Sequence, residues 1–144
     1  MTKYAQGFFQ LKNPEKYVGK STPKYRSSWE FAVMSMCDNN PSILQWASEA
    51  LHINYRNPFT NRNTIYVPDF FVLFMDAGGK THGELWEVKP TKETSLQEAG
   101  RSKRAQAAAI LNMAKWEAAR AYCKAQNLNF RIITEHDLWI NGKK

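Results

Sequence analysis

Apolar positions along this chain change period several times, and each change marks an element. Trp29, Ala32, Val33, Met36 and Cys37 recur at helical spacing, which predicts a helix that begins at Ser27 and stops before Asn39, Asn40 and Pro41. Residues 43–48 and 51–55 read as short strands, the second alternating Leu51, Ile53 and Tyr55 with polar neighbours. Asn57, Pro58, Thr60, Asn61 and Asn63 then make a loop. Residues 64–75 are almost continuously apolar, as expected of a central strand buried on both faces, and Ala77-Gly78-Gly79 turns the chain back into a strand over 82–89. These two strands are predicted to form a hairpin. Residues 95–126 turn alanine-rich, with Ala107, Leu111, Ala114, Ala118, Tyr122 and Ala125 on one stripe, so one long helix should pack on the sheet. A last strand over 129–134 and a short helix over 135–139 complete the order α, three or four β, α, β. That order describes an α/β (α+β) fold with a central sheet flanked by helices.

Composition narrows the class. A chain of 144 residues can bury a core of its own. With no repeat or flexible linker, it divides into a basic arm over 1–26 and one domain over 27–144. The arm carries Lys3, Lys12, Lys16, Lys20, Lys24 and Arg26 against Glu15 alone. The whole chain has 20 Lys+Arg against 13 Asp+Glu, a net charge of +7, which favours a polyanionic partner. No run approaches the roughly 18 apolar residues that span a bilayer, and the N-terminus has no signal-peptide pattern, so no membrane partner and an intracellular site of synthesis are expected. Cys37 and Cys123 lie far apart on predicted helices and read as core thiols. His52, His82 and His136 are too scattered for a zinc motif.

The chemistry concentrates on the predicted hairpin. Asp69 and Glu87 stand nine positions on either side of Gly78, so a turn centred there sets their side chains opposite each other. Facing pairs in an antiparallel ladder have Cβ atoms about 4.5 to 5.5 Å apart, which is chelating distance. Lys89, two positions beyond Glu87, points to the same face. A two-residue loop would shift the register by one and part the two acids, so an odd-numbered loop is predicted. Two facing carboxylates repel unless a cation or the lysine neutralises them. The alternatives are a buried Asp, Glu and Lys ion cluster kept for stability, or a hard-cation site for Mg²⁺, with Mn²⁺ as a substitute. In the second case the lysine orients or activates the attacking water and the backbone carbonyl of Val88 supplies a neutral ligand. Phosphodiester hydrolysis uses that arrangement.

Other candidates are less specific. Ser27-Ser28-Trp29-Glu30 matches a capping box, and the pattern alone leaves capping and metal or water binding equally open for Glu30. Lys24, Arg26, Lys92, Arg101, Lys103 and Arg104 are candidate phosphate contacts, against the simpler reading of solvated charges.

Pro68-Asp69 followed by Glu87-Val88-Lys89 across a glycine turn, after a helix carrying Glu30, resembles the PD-(D/E)xK nuclease superfamily, whose restriction-endonuclease-like core runs α-β-β-β-α-β around a central mixed sheet. Tyr25-Arg26-Ser27-Ser28-Trp29-Glu30, Asn40-Pro41-Ser42-Ile43, Trp46-Ala47-Ser48-Glu49, Glu87-Val88-Lys89-Pro90 and Phe130-Arg131-Ile132-Ile133-Thr134-Glu135 are similar to segments of the head-completion nucleases of T-even-type tailed phages. A more distant resemblance is to TnsA-type endonucleases. Pro68 is the superfamily's common form and is not expected in every head-completion nuclease. The resemblance implies an Mg²⁺-dependent endonuclease acting on double-stranded DNA at the packaged end before head and tail join, in the virion or the host cytoplasm during assembly. It implies catalytic roles for Glu30, Asp69, Glu87 and Lys89, and head or neck proteins as partners. A homodimer is expected because one site per chain cuts two strands most simply in pairs. Rival readings are a non-catalytic DNA-binding virion protein and other enzymes on the same core, such as a junction resolvase or homing endonuclease.

Overall fold

The computed structural model describes residues 6–138. Its strands are β1 (Gly7–Phe8), β2 (Lys24–Tyr25), β3 (Ile43–Ser48), β4 (Ile53–Arg56), β5 (Asn63–Tyr66), β6 (Phe70–Met75), β7 (Thr81–Val88) and β8 (Asn129–Ile133). Its helices are α1 (Ser28–Asn39), α2 (Leu96–Ala99), α3 (Lys103–Ala125) and α4 (Glu135–Leu138). Four strands form the central sheet in the order β3-β6-β7-β8, antiparallel except for the parallel β7–β8 pair. Along the chain, α1, β3, β6, β7, α3 and β8 follow the expected αβββαβ order, with the β4–β5 ribbon inserted between β3 and β6.

Side-chain alternation along β6 and β7 splits the core into two layers. Phe70, Val72 and Trp86 face α1, where Val33, Met34 and Cys37 are buried with Trp46. On the other face Leu85 and Phe71 meet Trp116, Ala119 and Cys123 of α3, with Ile53, Tyr55 and Tyr66 of the ribbon. Both cysteines are buried core thiols, as expected.

Several local expectations need correction. The apolar run over 64–75 is two strands, because Pro68 lacks a ladder donor and restricts Val67, so the chain leaves one sheet at Tyr66 and enters another at Phe70. The helix expected over 95–126 is broken at Gly100, whose φ of 65° is open to glycine, and restarts at Ser102, which caps α3 by accepting from Ala105. The buried stripe of α3 is Ala105, Ala109, Asn112, Trp116, Ala119 and Cys123, so the predicted stripe flanks it and its Ala107 and Ala125 are exposed. In so alanine-rich a helix Trp116 dominates the burial, and the face that covers it decides the rotation. On α1, Met34 is buried in place of Met36, which is 42% exposed. Trp139, expected in the last helix, lies outside the described residues, as does Lys3.

Residues 6–26 run along the core. Phe9 is buried against Trp46. Buried Asp38, at the end of α1, accepts the backbone amides of Lys12 and Asn13 at 2.8 and 3.1 Å.

Candidate active site

The β6–β7 register sets the site. Pairs from Met75↔Thr81 to Phe70↔Trp86 leave an odd-numbered loop, residues 76–80, centred on Gly78. One step further out, Asp69 and Glu87 come opposite each other on the α3 face. Asp69 Oδ2 accepts the Val88 amide at 2.7 Å, which ties the first acid to the strand that carries the second. Lys89 continues the line, with its amide on the Ile133 carbonyl and its Nζ 3.9 Å from Glu87 Oε2.

Two residues that the sequence reading passed over complete the surroundings of Glu87. The Tyr66 hydroxyl donates to Glu87 Oε1 at 2.7 Å. Lys115, half-buried on α3, lies with its Nζ 5.7 Å from the centroid of the Tyr66 ring and 6.0 Å from that of Tyr55. Tyr66 was hidden inside an apolar run, although a buried phenol needs a polar partner. Lys115 carried a fainter signal, as the only cation between Arg104 and Arg120 and the neighbour of the dominant Trp116.

Charge is dense here and poorly hydrated. Burial, followed by the Glu87 charge, holds the Asp69 carboxyl well above the usual carboxylate range, with the Val88 amide opposing. Burial also raises Glu87, while Tyr66, Lys89, the Asp69 amide and Lys115 pull it back. Burial lowers the Lys115 ammonium and Lys89 repels it. Two acids that resist ionising side by side, in a setting with nearby cations, form a site that a divalent cation relieves.

Glu30 takes up its capping role at the start of α1. Ser27 Oγ caps α1 by accepting the Glu30 amide at 3.2 Å, and Glu30 Oε1 accepts the Arg26 amide at 3.0 Å, one residue before the usual capping-box position. Its half-buried carboxyl also interacts electrostatically with Asp69 and Lys89. Among the described residues no three His, Cys, Asp or Glu side chains converge to hold a metal. The oxygen donors on offer are Asp69, Glu87 and the Val88 carbonyl, a sparse set that suits a hard cation retaining several waters.

The candidate phosphate contacts are all exposed and fall in two groups. Lys24 and Arg26 lie at the α1 edge. Lys24 lines a cavity of about 420 Å³ with Tyr17, Lys20 and His52, and Arg26 is ion-paired with Glu49. The Glu49 amide donates to the Asp69 carbonyl at 2.9 Å, so this edge borders the start of β6. Lys92 follows Lys89 after one short turn and shares a cleft of about 400 Å³ with Arg104 and Ser102. Arg101 and Lys103 lie beside it at the start of α3.

A family model described as TnsA-like endonuclease N terminal matches residues 40–135, which include Asp69, Glu87 and Lys89 but not Glu30. Over 145 aligned residues the chain is 32% identical to the head completion nuclease of Enterobacteria phage T4, an alignment covering 92% of this chain and 93% of that protein.

Proposed function

The chain belongs to the TnsA-like endonuclease family, and on that basis we propose that it hydrolyses double-stranded DNA with Mg²⁺ held by Asp69, Glu87 and the Val88 carbonyl. The observation that carries this is the pairing of two burial-strained carboxyls across one hairpin with a lysine in line beside them. When bound, the cation polarises the phosphoryl oxygen and lowers the pKa of a bound water.

The chain's own residues do the rest. Asp69 is aimed by the Val88 amide and Glu87 by Tyr66, so neither carboxylate has to reorganise. Lys89 orients the attacking water and meets the negative charge that grows on the phosphate. Glu30, further along the same edge, holds a second water. Lys24 and Arg26 on one side, and Lys92, Arg101, Lys103 and Arg104 on the other, bind flanking phosphates and so set the strand across the acids.

Kinship with the T4 head completion nuclease supports a role at packaged DNA ends, in the virion or in the host cytoplasm during assembly, with head or neck proteins as partners. Cutting both strands is assigned to a homodimer. No described helix is long and apolar enough to cross a membrane.

Plasmid cleavage tests the reading. Wild type should cut with Mg²⁺ or Mn²⁺ and not with EDTA, and Lys89→Ala should lose about 10²-fold or more in rate while still binding DNA. A well-folded wild type that cuts no linear, nicked or branched DNA would leave a DNA-binding virion protein on a nuclease scaffold.

Lys115 has no carboxylate within ion-pair range among the described residues, so its charge is free to meet a substrate phosphate. Lys115→Met, which removes the charge from an unbranched side chain, should slow single-turnover cleavage about tenfold. An unchanged rate would reduce Lys115 to a packing residue.

A further inference from the structure

The loop after β4 takes no part in the site above, yet its chemistry is distinctive. Between Glu49 and Asp69 the chain holds no Asp or Glu, while Arg56, Arg62 and a series of asparagines fall within it. The tip is also braced by its own hydrogen bonds. Asn57 Oδ1 accepts the amides of Phe59 and Thr60 at 2.8 and 3.2 Å, and Arg56 Nη1 donates to Asn61 Oδ1 at 3.0 Å. Asn61 takes the left-handed conformation, φ 59°, that asparagine tolerates. With the tip so braced, Phe59 stands out in solvent, 58% exposed.

The two faces of the ribbon differ. Ile53, Tyr55 and Tyr66 are buried on α3, whereas Asn54 pairs with Ile65 and Arg56 with Asn63 on the outer face, all four exposed. Ile65 is 54% exposed, a second apolar side chain in water on the same element. The inner face is locked to the acidic pair through the Tyr66–Glu87 hydrogen bond. At about 3.4 Å per residue the tip stands roughly 15 Å along the ribbon from Tyr66, between four and five base steps of a duplex.

We infer that the β4–β5 ribbon is a DNA-contacting element whose tip enters a groove of the duplex, with Phe59 against the bases and Arg62 on a phosphate. This rests on the reading of the site as a nuclease centre. A two-stranded ribbon fits the major groove, where an apolar side chain such as phenylalanine can pack on the base edges. An acid-free surface that exposes aromatic, aliphatic, amide and guanidinium groups matches that partner in charge and chemistry. Its attachment through Tyr66 makes it a ruler, fixing where the duplex lies relative to Asp69 and Glu87.

The test uses the full chain and a short blunt duplex in EDTA, with binding followed by fluorescence anisotropy across a salt series. Phe59→Ala should weaken binding at least about fivefold with the salt slope unchanged, and Phe59→Leu should keep most of the affinity. Arg62→Gln should reduce the slope by about 0.9, the signature of one lost phosphate contact. Neither side chain is buried, so melting temperatures should match wild type. If both variants bind with wild-type affinity and slope, the inference is overturned while the nuclease reading stands on its cleavage assay. A change in sedimentation with no change in DNA binding would make the ribbon an interface between copies, and also overturns it. A wild type that binds but does not cut breaks the hydrolytic reading and leaves these binding results to decide the ribbon.

Discussion

Asp69→Asn is expected to abolish cleavage, by at least about 10³-fold, and at the same time to raise the melting temperature of the metal-free protein at pH 8. The loss follows from the proposed cation site, which would keep only one of its two anionic donors. The gain follows from electrostatics. In the metal-free protein burial holds both carboxyls above their usual range, and the Glu87 charge raises Asp69 further, so the folded state binds their protons more tightly than the unfolded chain does. That contribution to stability is fully present below the ordinary carboxylate pKa of about 4 and is lost as pH rises through the elevated values. As pH rises through those values, negative charge builds up between two facing acids, one of them buried. Asparagine removes one charge, keeps an acceptor for the Val88 amide and adds a donor toward Glu87. The advantage of the Asp69→Asn variant over wild type should therefore shrink as pH falls toward 4, and shrink also when Mg²⁺ is added to wild type. Thermal melts in EDTA at pH 4 and pH 8 check it. A variant that melts lower than wild type at pH 8 would show that the acids are not strained against each other.

Trp116→Ala is expected to cost about 3–5 kcal/mol, a large fraction of the stability margin of a domain this size. Trp116 is 1% exposed and lies where α3, the ribbon and the sheet meet, in contact with the ring of Phe130. Alanine leaves a cavity that the backbones of three elements cannot close. The melting temperature should fall by roughly 10 °C or more, and the urea midpoint should fall with it. The variant should also cut poorly at temperatures where it remains folded, because Tyr66 is seated on the same cluster and aims Glu87. A loss under about 1 kcal/mol would mean that the α3 layer repacks freely and does not anchor the ribbon.

Much of the site was legible in the linear chain because a hairpin is a local object. Its register depends on a turn and on side-chain alternation, both short-range, and so the facing of Asp69 and Glu87 followed from their equal distance to Gly78. Lys89 followed from the period-2 rule. The strand over 43–48 was equally readable, since its apolar run begins after a proline turn and ends in a polar one.

Where elements of weak contrast met distant partners, the linear pattern misled. The α3 stripe was misplaced because alanines of similar burial cost leave the rotation to whatever covers Trp116, and that cover comes from residues 53–66 and 130, far away in sequence. Tyr66 and Lys115 reach Glu87 from two other elements, so no spacing in the chain ties them together. Glu30 had two readings in the sequence, and in the structure it both caps α1 and senses Asp69.

The order of residues was therefore enough to specify the class of fold, the β6–β7 hairpin and the line of Asp69, Glu87 and Lys89, because local alternation and turn geometry encode them. Folding settled which groups surround those acids, how far burial strains them, and where the β4–β5 ribbon stands. Desolvation and long-range packing depend on surfaces that meet only in the folded chain, and no local pattern carries them.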